Sequence, residues 1–183
     1  MKELLVKYKS VVRFILVFLS VYMVLTFGYK MYLEWSDGSK FYPDYVTNVV
    51  AKQSAFMISV LGYNTEVLPH PNELSMKLIV NSKFIARIVE GCNSVSVIIL
   101  FVSFVIAFTG RIRETVVFLF MGSVLIYVVN IIRIAVLSIG LYEYPWRKDL
   151  LHTVIFPMII YGMVFTLWMF WVNRFSKQSR NYE

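Results

Sequence analysis

Four long apolar runs dominate this chain of 183 residues, at about positions 11–33, 91–109, 115–142 and 150–172. A helix needs about 20 mainly apolar residues to cross the hydrocarbon core of a bilayer. Lipid offers no hydrogen-bond partners to the backbone, so such runs cross as helices. With 58% hydrophobic and 16% charged residues, the chain is also unlike a soluble domain. We predict an all-α integral membrane protein with about four transmembrane helices.

Lysine and arginine residues beside these runs predict the topology. They precede the first run, occupy the short loop at Arg111 and Arg113, and recur in the C-terminal tail. Basic residues in short flanks mark the cytoplasmic side, and four spans place these three segments on one side. Both termini are therefore predicted to be cytoplasmic. The connector with Arg147 and Lys148 is the one segment that opposes this assignment.

The net charge of +7 does not indicate nucleic-acid binding, because the basic residues lie beside apolar runs and form no single stripe. We expect no nucleic-acid partner and take the bilayer as the main one. The basic N-terminus and first run resemble a secretory signal. However, the run is too long and Trp35-Ser36-Asp37 follows in place of small residues, so we predict a retained signal anchor.

The segment between the first two runs has a different composition, with prolines, glycines and polar residues interrupting each apolar stretch. Positions 44–61 have the spacing of an amphipathic helix capped near Pro43 and Asp44. Its predicted apolar residues are Val46, Val49, Val50, Phe56, Met57 and Val60. Alternating stretches on either side of Asn81-Ser82 predict a β-hairpin. This segment is therefore predicted to be a small extracytoplasmic α+β insertion.

These predictions divide the chain into four parts. They are a cytoplasmic N-terminus with the first transmembrane helix (1–33), the extracytoplasmic insertion (34–90), a three-helix membrane core (91–172) and a cytoplasmic tail (173–183).

Three chemically useful residues share one depth in this topology. Cys92 opens the second span at its outer end, and His152 opens the fourth. Arg133 is 18 residues past Thr115, a rise of about 27 Å from the cytoplasmic side. A histidine can take a thiol proton, and the thiolate is a nucleophile. An arginine can stabilise both the thiolate and the oxyanion of a tetrahedral intermediate.

Three further residues are candidates for a supporting role. Asn130 precedes Arg133 by one helical turn, and Asp149 precedes His152 by the same spacing. Asp149 could orient the imidazole or cap the fourth helix. Glu90 could pair with Arg87 or Arg133, or mark the membrane boundary.

Each candidate also has an ordinary interpretation. A single cysteine at a helix end is often packing, and an interfacial histidine is often an amphipathic anchor. An arginine within a membrane costs about 2.5 to 3.5 kcal/mol on insertion scales, so it is functional, paired, or extended to the surface. The combination of the three residues carries the argument.

The segments Glu90-Gly91-Cys92-Asn93-Ser94, Asn130-Ile131-Ile132-Arg133-Ile134 and Leu151-His152 resemble the exosortase/archaeosortase family. The order Cys, Arg, His and its placement at the starts and ends of successive spans are similar to that family's proposed catalytic set. The resemblance covers about positions 66–162. The small number of spans resembles the short, F-type exosortases. The residues after the cysteine (Asn93-Ser94-Val95) and after the histidine (Thr153, Val154) differ from the common family pattern.

This resemblance implies a membrane cysteine peptidase or transpeptidase in the bacterial inner membrane, with its active site on the extracytoplasmic side. Cys92 would be the nucleophile, His152 the general base and acid, and Arg133 the anion stabiliser. The substrates would be secreted proteins with a C-terminal sorting signal, and no metal or organic cofactor is implied. The alternatives are a non-catalytic assembly or export partner and a thiol-dependent acyltransferase. Oligomeric state, substrate motif and acceptor are not predicted.

Overall fold

The computed structural model describes residues 8–36, 41–108, 111–147 and 150–179, except for the side chains at 151, 152, 156 and 175–179. These ranges are mostly helical and contain one small sheet. The helices are α1 (Lys9–Ser36), α2 (Tyr45–Val60), α3 (Val95–Ala107), α4 (Ile112–Glu143) and α5 (Phe156–Ser179). The strands are β1 (Thr65–Pro69), β2 (Met76–Val80) and β3 (Lys83–Ile88). A 3₁₀ turn, Glu90–Cys92, precedes α3, and a π-helical turn, Leu151–Ile155, leads into α5.

Three helices in the described ranges are long and apolar enough to cross a membrane: α1, α4 and the stretch Thr153–Arg174. They correspond to the first, third and fourth predicted runs. The second run differs, because α3 has only 13 residues and rises about 20 Å, less than a bilayer core. Its first residues form the 3₁₀ turn, and Phe108 is already extended after α3. The structure thus confirms that the described ranges are mostly helical and contain three helices that could span a membrane. The second predicted span is a shorter apolar helix.

Helix α2 and the antiparallel sheet form one unit, which we call the α+β unit. The strand order is β1-β2-β3, with Val80 opposite Lys83 across the turn. Asn81 and Ser82 have φ of 48° and 64°, the conformation required by a two-residue hairpin turn. The predicted hairpin is therefore present, and β1 adds a third strand that the sequence analysis did not identify.

The predicted amphipathic helix is also present, but it buries a different face from the one expected. Asp44 caps it by accepting a hydrogen bond from the Thr47 amide at 2.9 Å. The sequence placed Phe56 and Val60 on the apolar face, yet both are largely exposed. The face against the sheet carries smaller residues, including Ala51 and Ala55, which allow close approach of helix and strands.

Two apolar cores hold the fold together, and α4 contributes to both. The first lies between α2, the sheet and the C-terminal half of α4, where Ile134 and Ala135 are buried. The second lies between α3, α4 and α5 around Phe101 and Trp171. Helices α3, α4 and α5 around the second core form what we call the helical layer. With 32 residues, α4 is about 48 Å long, enough to pass through this layer and continue along the α+β unit.

Polar and aromatic contacts fix the C-terminal half of α4 to the α+β unit. The Tyr127 hydroxyl donates to Gln53 Oε1 at 2.6 Å, and the Tyr63 hydroxyl donates to the Glu143 carboxylate at 3.1 Å. The latter bond raises the pKa of Tyr63, because the protonated phenol is the donor. The Tyr63 and Tyr142 rings pack edge to face. The α+β unit is therefore held against α4 by side-chain contacts, in addition to the backbone segments that connect it to α1 and α3.

Helix α3 packs against α4 at Gly122, which gives a test of the helical core. A Cβ atom at this position would overlap the ring of Phe101, whose side chain is fully buried. We expect Gly122→Ala to destabilise the protein by about 1 to 3 kcal/mol through overpacking. Thermal unfolding of the detergent-solubilised protein, followed by tryptophan fluorescence, measures this loss. Gly162→Ala is the matched control, since open space surrounds that position. Equal melting temperatures for the two variants would contradict this packing.

Candidate functional site

Cys92 lies where the sheet meets the helical layer. Strand β3 ends at Ile88, and the 3₁₀ turn follows directly, with the Cys92 amide donating to the Val89 carbonyl at 2.8 Å. The cysteine is half-buried and packs against the first core. The thiol is thus held by a short turn between a strand and a helix, and not by the first turn of a spanning helix as the second apolar run predicted.

A sharp change in backbone direction follows the cysteine. Ser94 has φ of 64°, in the left-handed region that non-glycine residues rarely adopt. Its hydroxyl donates to the Asn93 carbonyl at 2.6 Å, and its own carbonyl accepts the first bond of α3, from the Ile98 amide at 2.9 Å. Surrounding contacts must support such a conformation, because it is costly for an isolated residue.

Asn130 supplies one of these contacts. Its side chain is almost fully buried, and Nδ2 donates to the Cys92 carbonyl at 2.7 Å. Its spacing to Arg133 predicts a supporting role for Asn130 on the same face of α4. The Asn130 amide contacts the backbone of the cysteine, which fixes the Cys92 turn to α4.

Arg133 lies one turn after Asn130 and is half-buried. Its guanidinium is within electrostatic reach of the Cys92 thiol and of the Tyr161 hydroxyl on α5. Arg133 therefore lies on the part of α4 that contacts the Cys92 turn through Asn130, at the junction of the α+β unit and the helices.

The third predicted residue, His152, is described only through its backbone. It belongs to the π-helical turn, and this turn packs against α4, the helix that carries Asn130 and Arg133. The His152 side chain lies outside the described residues, as does all of Asp149. The distance from the imidazole to the thiol stays a prediction.

Glu90 is exposed at the first position of the 3₁₀ turn. Of the two partners considered for it, Arg87 forms an ion pair with Glu73. The Glu90 carbonyl accepts a bond from the Asn93 amide at 3.2 Å, so the residue takes part in the turn through its backbone.

Several residues around the Cys92 turn were not predicted from the sequence. Asn93 is buried and bonds to both Tyr29 on α1 and Thr47 on α2. An asparagine between a reactive residue and a helix start is a recognisable signal for a structured turn. Tyr29 and Thr47 carry no comparable signal, because their roles depend on contacts 64 and 46 residues away in sequence.

Within the described ranges, no group of three His, Cys, Asp or Glu side chains is placed to hold a metal ion. Comparison with known proteins gives no further guidance on the site: no family model, no curated protein and no solved structure matches this chain.

The bond between Asn130 and the Cys92 carbonyl gives a second test. Asn130→Ala leaves a buried carbonyl without this donor, so we expect a loss of about 1 to 3 kcal/mol in unfolding free energy. The thiol should also react faster with iodoacetamide, because the turn is less restrained. Ser138→Ala is the matched control, since the buried Ser138 hydroxyl bonds only to the Ile134 carbonyl of its own helix. If both variants alkylate at the same rate, Asn130 does not restrain the turn.

Proposed function

We propose that this protein is an exosortase-like membrane cysteine peptidase or transpeptidase that cleaves C-terminal sorting signals of secreted proteins. One observation carries the proposal: Asn130 holds the carbonyl of Cys92 at 2.7 Å, and Arg133 lies one turn further on along the same helix. A nucleophile and a cation fixed by one rigid helix are a usable arrangement for acyl chemistry. The resemblance at the Cys, Asn-x-x-Arg and His segments supports the same assignment.

We place the site at the extracytoplasmic face of a bacterial inner membrane, with both termini in the cytoplasm. The basic flanks of the apolar runs support this orientation. The α+β unit also supports it, because α4 passes from the helical core into the core of this unit. In this arrangement Cys92 lies at the membrane surface, where a secreted protein held by an apolar C-terminal segment would present its cleavage site.

The reaction follows from the chemistry of the three residues. His152 takes the thiol proton, and the Cys92 thiolate attacks the scissile carbonyl carbon to give a tetrahedral oxyanion. Collapse of this intermediate breaks the C–N bond, forms a thioester and releases the C-terminal segment as an amine that receives the proton from His152. An acceptor amine or water then attacks the thioester and regenerates the thiol. Transfer and hydrolysis differ only in this last nucleophile.

Arg133 acts as the stabiliser of negative charge in this scheme. The guanidinium stays protonated and offers several donors in a fixed plane, so it can serve first the thiolate and then the oxyanion. Lysine would provide a charge but not this geometry. The role therefore predicts that charge alone is insufficient at position 133.

A second candidate is a non-catalytic assembly or export partner. The packing of Cys92 against the first core favours it, since a cysteine of this kind can be a small apolar side chain. A thiol-dependent acyltransferase would use the same nucleophile on a different substrate. Replacement of the thiol separates the first alternative from the enzyme, and the identity of the product separates the second.

The proposed topology predicts that Cys92 is reached from outside the cell. It is the single cysteine of the chain, so the natural protein can be labelled without removing others. In intact spheroplasts, a membrane-impermeant maleimide should label Cys92, and Cys92→Ser should give no signal. A cysteine introduced at Ser176, in the predicted cytoplasmic tail, should be labelled only after lysis when it replaces Cys92. The reverse pattern would invert the topology.

The proposed mechanism predicts the effect of three substitutions. Cys92→Ala and Cys92→Ser should abolish processing of co-expressed secreted proteins that carry a C-terminal sorting signal with an apolar segment, because the reaction requires a thiolate. Arg133→Lys should lower the rate by about 10- to 1,000-fold. The measurement is the mass of the substrate on gels and by mass spectrometry.

Arg111→Lys is the control for the arginine change, since Arg111 is exposed and forms a surface ion pair with Glu114, one turn away at the start of α4. It should process at the natural rate, and all variants should reach the membrane in equal amounts. Normal processing by either Cys92 variant would exclude a cysteine peptidase and leave the assembly partner.

A further inference from the structure

Asn93, directly after the cysteine, has the best satisfied buried side chain in the Cys92 turn. It is 1% exposed. Its Nδ2 donates to Tyr29 Oη at 2.7 Å and to Thr47 Oγ1 at 3.0 Å, and its Oδ1 accepts from the Val95 amide at 3.0 Å. One side chain thereby joins α1, α2 and the start of α3.

These bonds use the particular chemistry of an asparagine. The amide provides two donors and an acceptor on one short side chain. Aspartate would lose both donors, and leucine would leave the Val95 amide and two hydroxyls without this partner. Because an unsatisfied buried group is costly, the three bonds hold the position of Asn93 firmly.

The location of these bonds matters for the cysteine. Cys92 is fixed through its carbonyl by Asn130 on α4, and the next residue is fixed through its side chain by α1 and α2. The thiol therefore lies between two restraints from different elements. Loss of either restraint would let the turn move while leaving the thiol chemically intact.

We propose that Asn93 is a positioning residue, which, with Tyr29 and Thr47, holds Cys92 in line with Arg133. This inference rests on the proposed function. It assigns the first helix a part in the reaction, since Tyr29 reaches the Cys92 turn from α1. A small displacement of a reacting group lowers rates strongly, so loss of this restraint should reduce kcat more than it changes KM.

The test removes the acceptors of Asn93 and leaves Asn93 itself in place. Tyr29→Phe and Thr47→Val each remove one acceptor of Nδ2, and the double variant removes both. We expect small effects from the single variants and a loss of about 10- to 100-fold in kcat from the double variant, with KM nearly unchanged. Restoring a hydroxyl, as in Tyr29→Phe combined with Thr47→Ser, should recover most of the rate.

Tyr32→Phe is the matched control. Tyr32 stacks on Tyr29 at a ring separation of 6.0 Å, and its hydroxyl also joins α1 to the start of α2, through Asp44 and the Val46 amide. Among the residues that the structure describes, the Tyr32 hydroxyl makes no hydrogen bond to Asn93. Tyr32→Phe should therefore reduce stability to a similar extent as Tyr29→Phe while leaving kcat near the natural value, even when combined with Thr47→Val.

A second measurement does not depend on a substrate. The full-length protein in detergent is alkylated with iodoacetamide at Cys92, the single thiol, well below the melting temperature of each variant. We expect the Tyr29→Phe/Thr47→Val variant to react at least about fivefold faster than the natural protein, because the turn is released. The Tyr32→Phe/Thr47→Val variant should react within about twofold of the natural rate.

The outcomes separate this inference from the proposed function. If the natural protein processes no sorting signal but the alkylation difference is present, the function is wrong and the restraint on Cys92 is real. If the Tyr29→Phe/Thr47→Val variant alkylates and processes at the natural rates, Asn93 does not position the thiol. Equal losses of kcat in the Tyr29→Phe/Thr47→Val and Tyr32→Phe/Thr47→Val variants would also overturn the inference. They would show that the rate depends on the packing of α1 in general and not on the bonds to Asn93.

Discussion

The continuity of α4 is the constraint on which the rest of the structure depends. One helix buries Ile126 against α3 and α5 and, two turns later, Ile134 against α2 and the sheet. Because a helix is rigid over this distance, the α+β unit cannot turn relative to the helical layer without breaking one of the two cores. Asn130 lies between them, and the Cys92 turn is bonded to this point.

Polar groups at such a junction are costly unless they are satisfied, and this explains the composition of the Cys92 turn. Asn93, Ser94 and Asn130 are all buried, and each forms hydrogen bonds to backbone or side-chain groups of the junction. Their bonds also support the left-handed conformation of Ser94, which would otherwise be unfavourable. An apolar junction could have packed equally well. The polar network instead fixes one backbone conformation around Cys92, as the proposed function requires.

Local patterns predicted much of this fold. The apolar runs identify the long helices, Asp44 identifies the start of α2, and Asn81-Ser82 identifies the hairpin, because each depends on residues close in sequence. The start of α3 was placed too early, since hydropathy does not distinguish a 3₁₀ turn from a helix. The prediction that Phe56 lies on the buried face of α2 was wrong, because close packing of a helix on a sheet favours small residues over large ones. The bonds of Tyr29 and Thr47 to Asn93 are tertiary and have no local signal.

The position of the site at a boundary has a chemical consequence under the proposed function. A sorting signal has a polar part that must reach the thiol and an apolar part that is stable only in lipid. Under this proposal, a cysteine between a water-facing α+β unit and an apolar helical layer can attack the peptide bond that joins the polar and apolar parts of the signal. The polar part then stays in water and the apolar part stays in lipid. After cleavage, the apolar product stays in lipid while the acyl group stays on Cys92 at the water-facing side. Under the proposed function, return of the amine to the thioester is then disfavoured by the separation of the two products, so the forward reaction with an acceptor amine or with water is favoured over reversal.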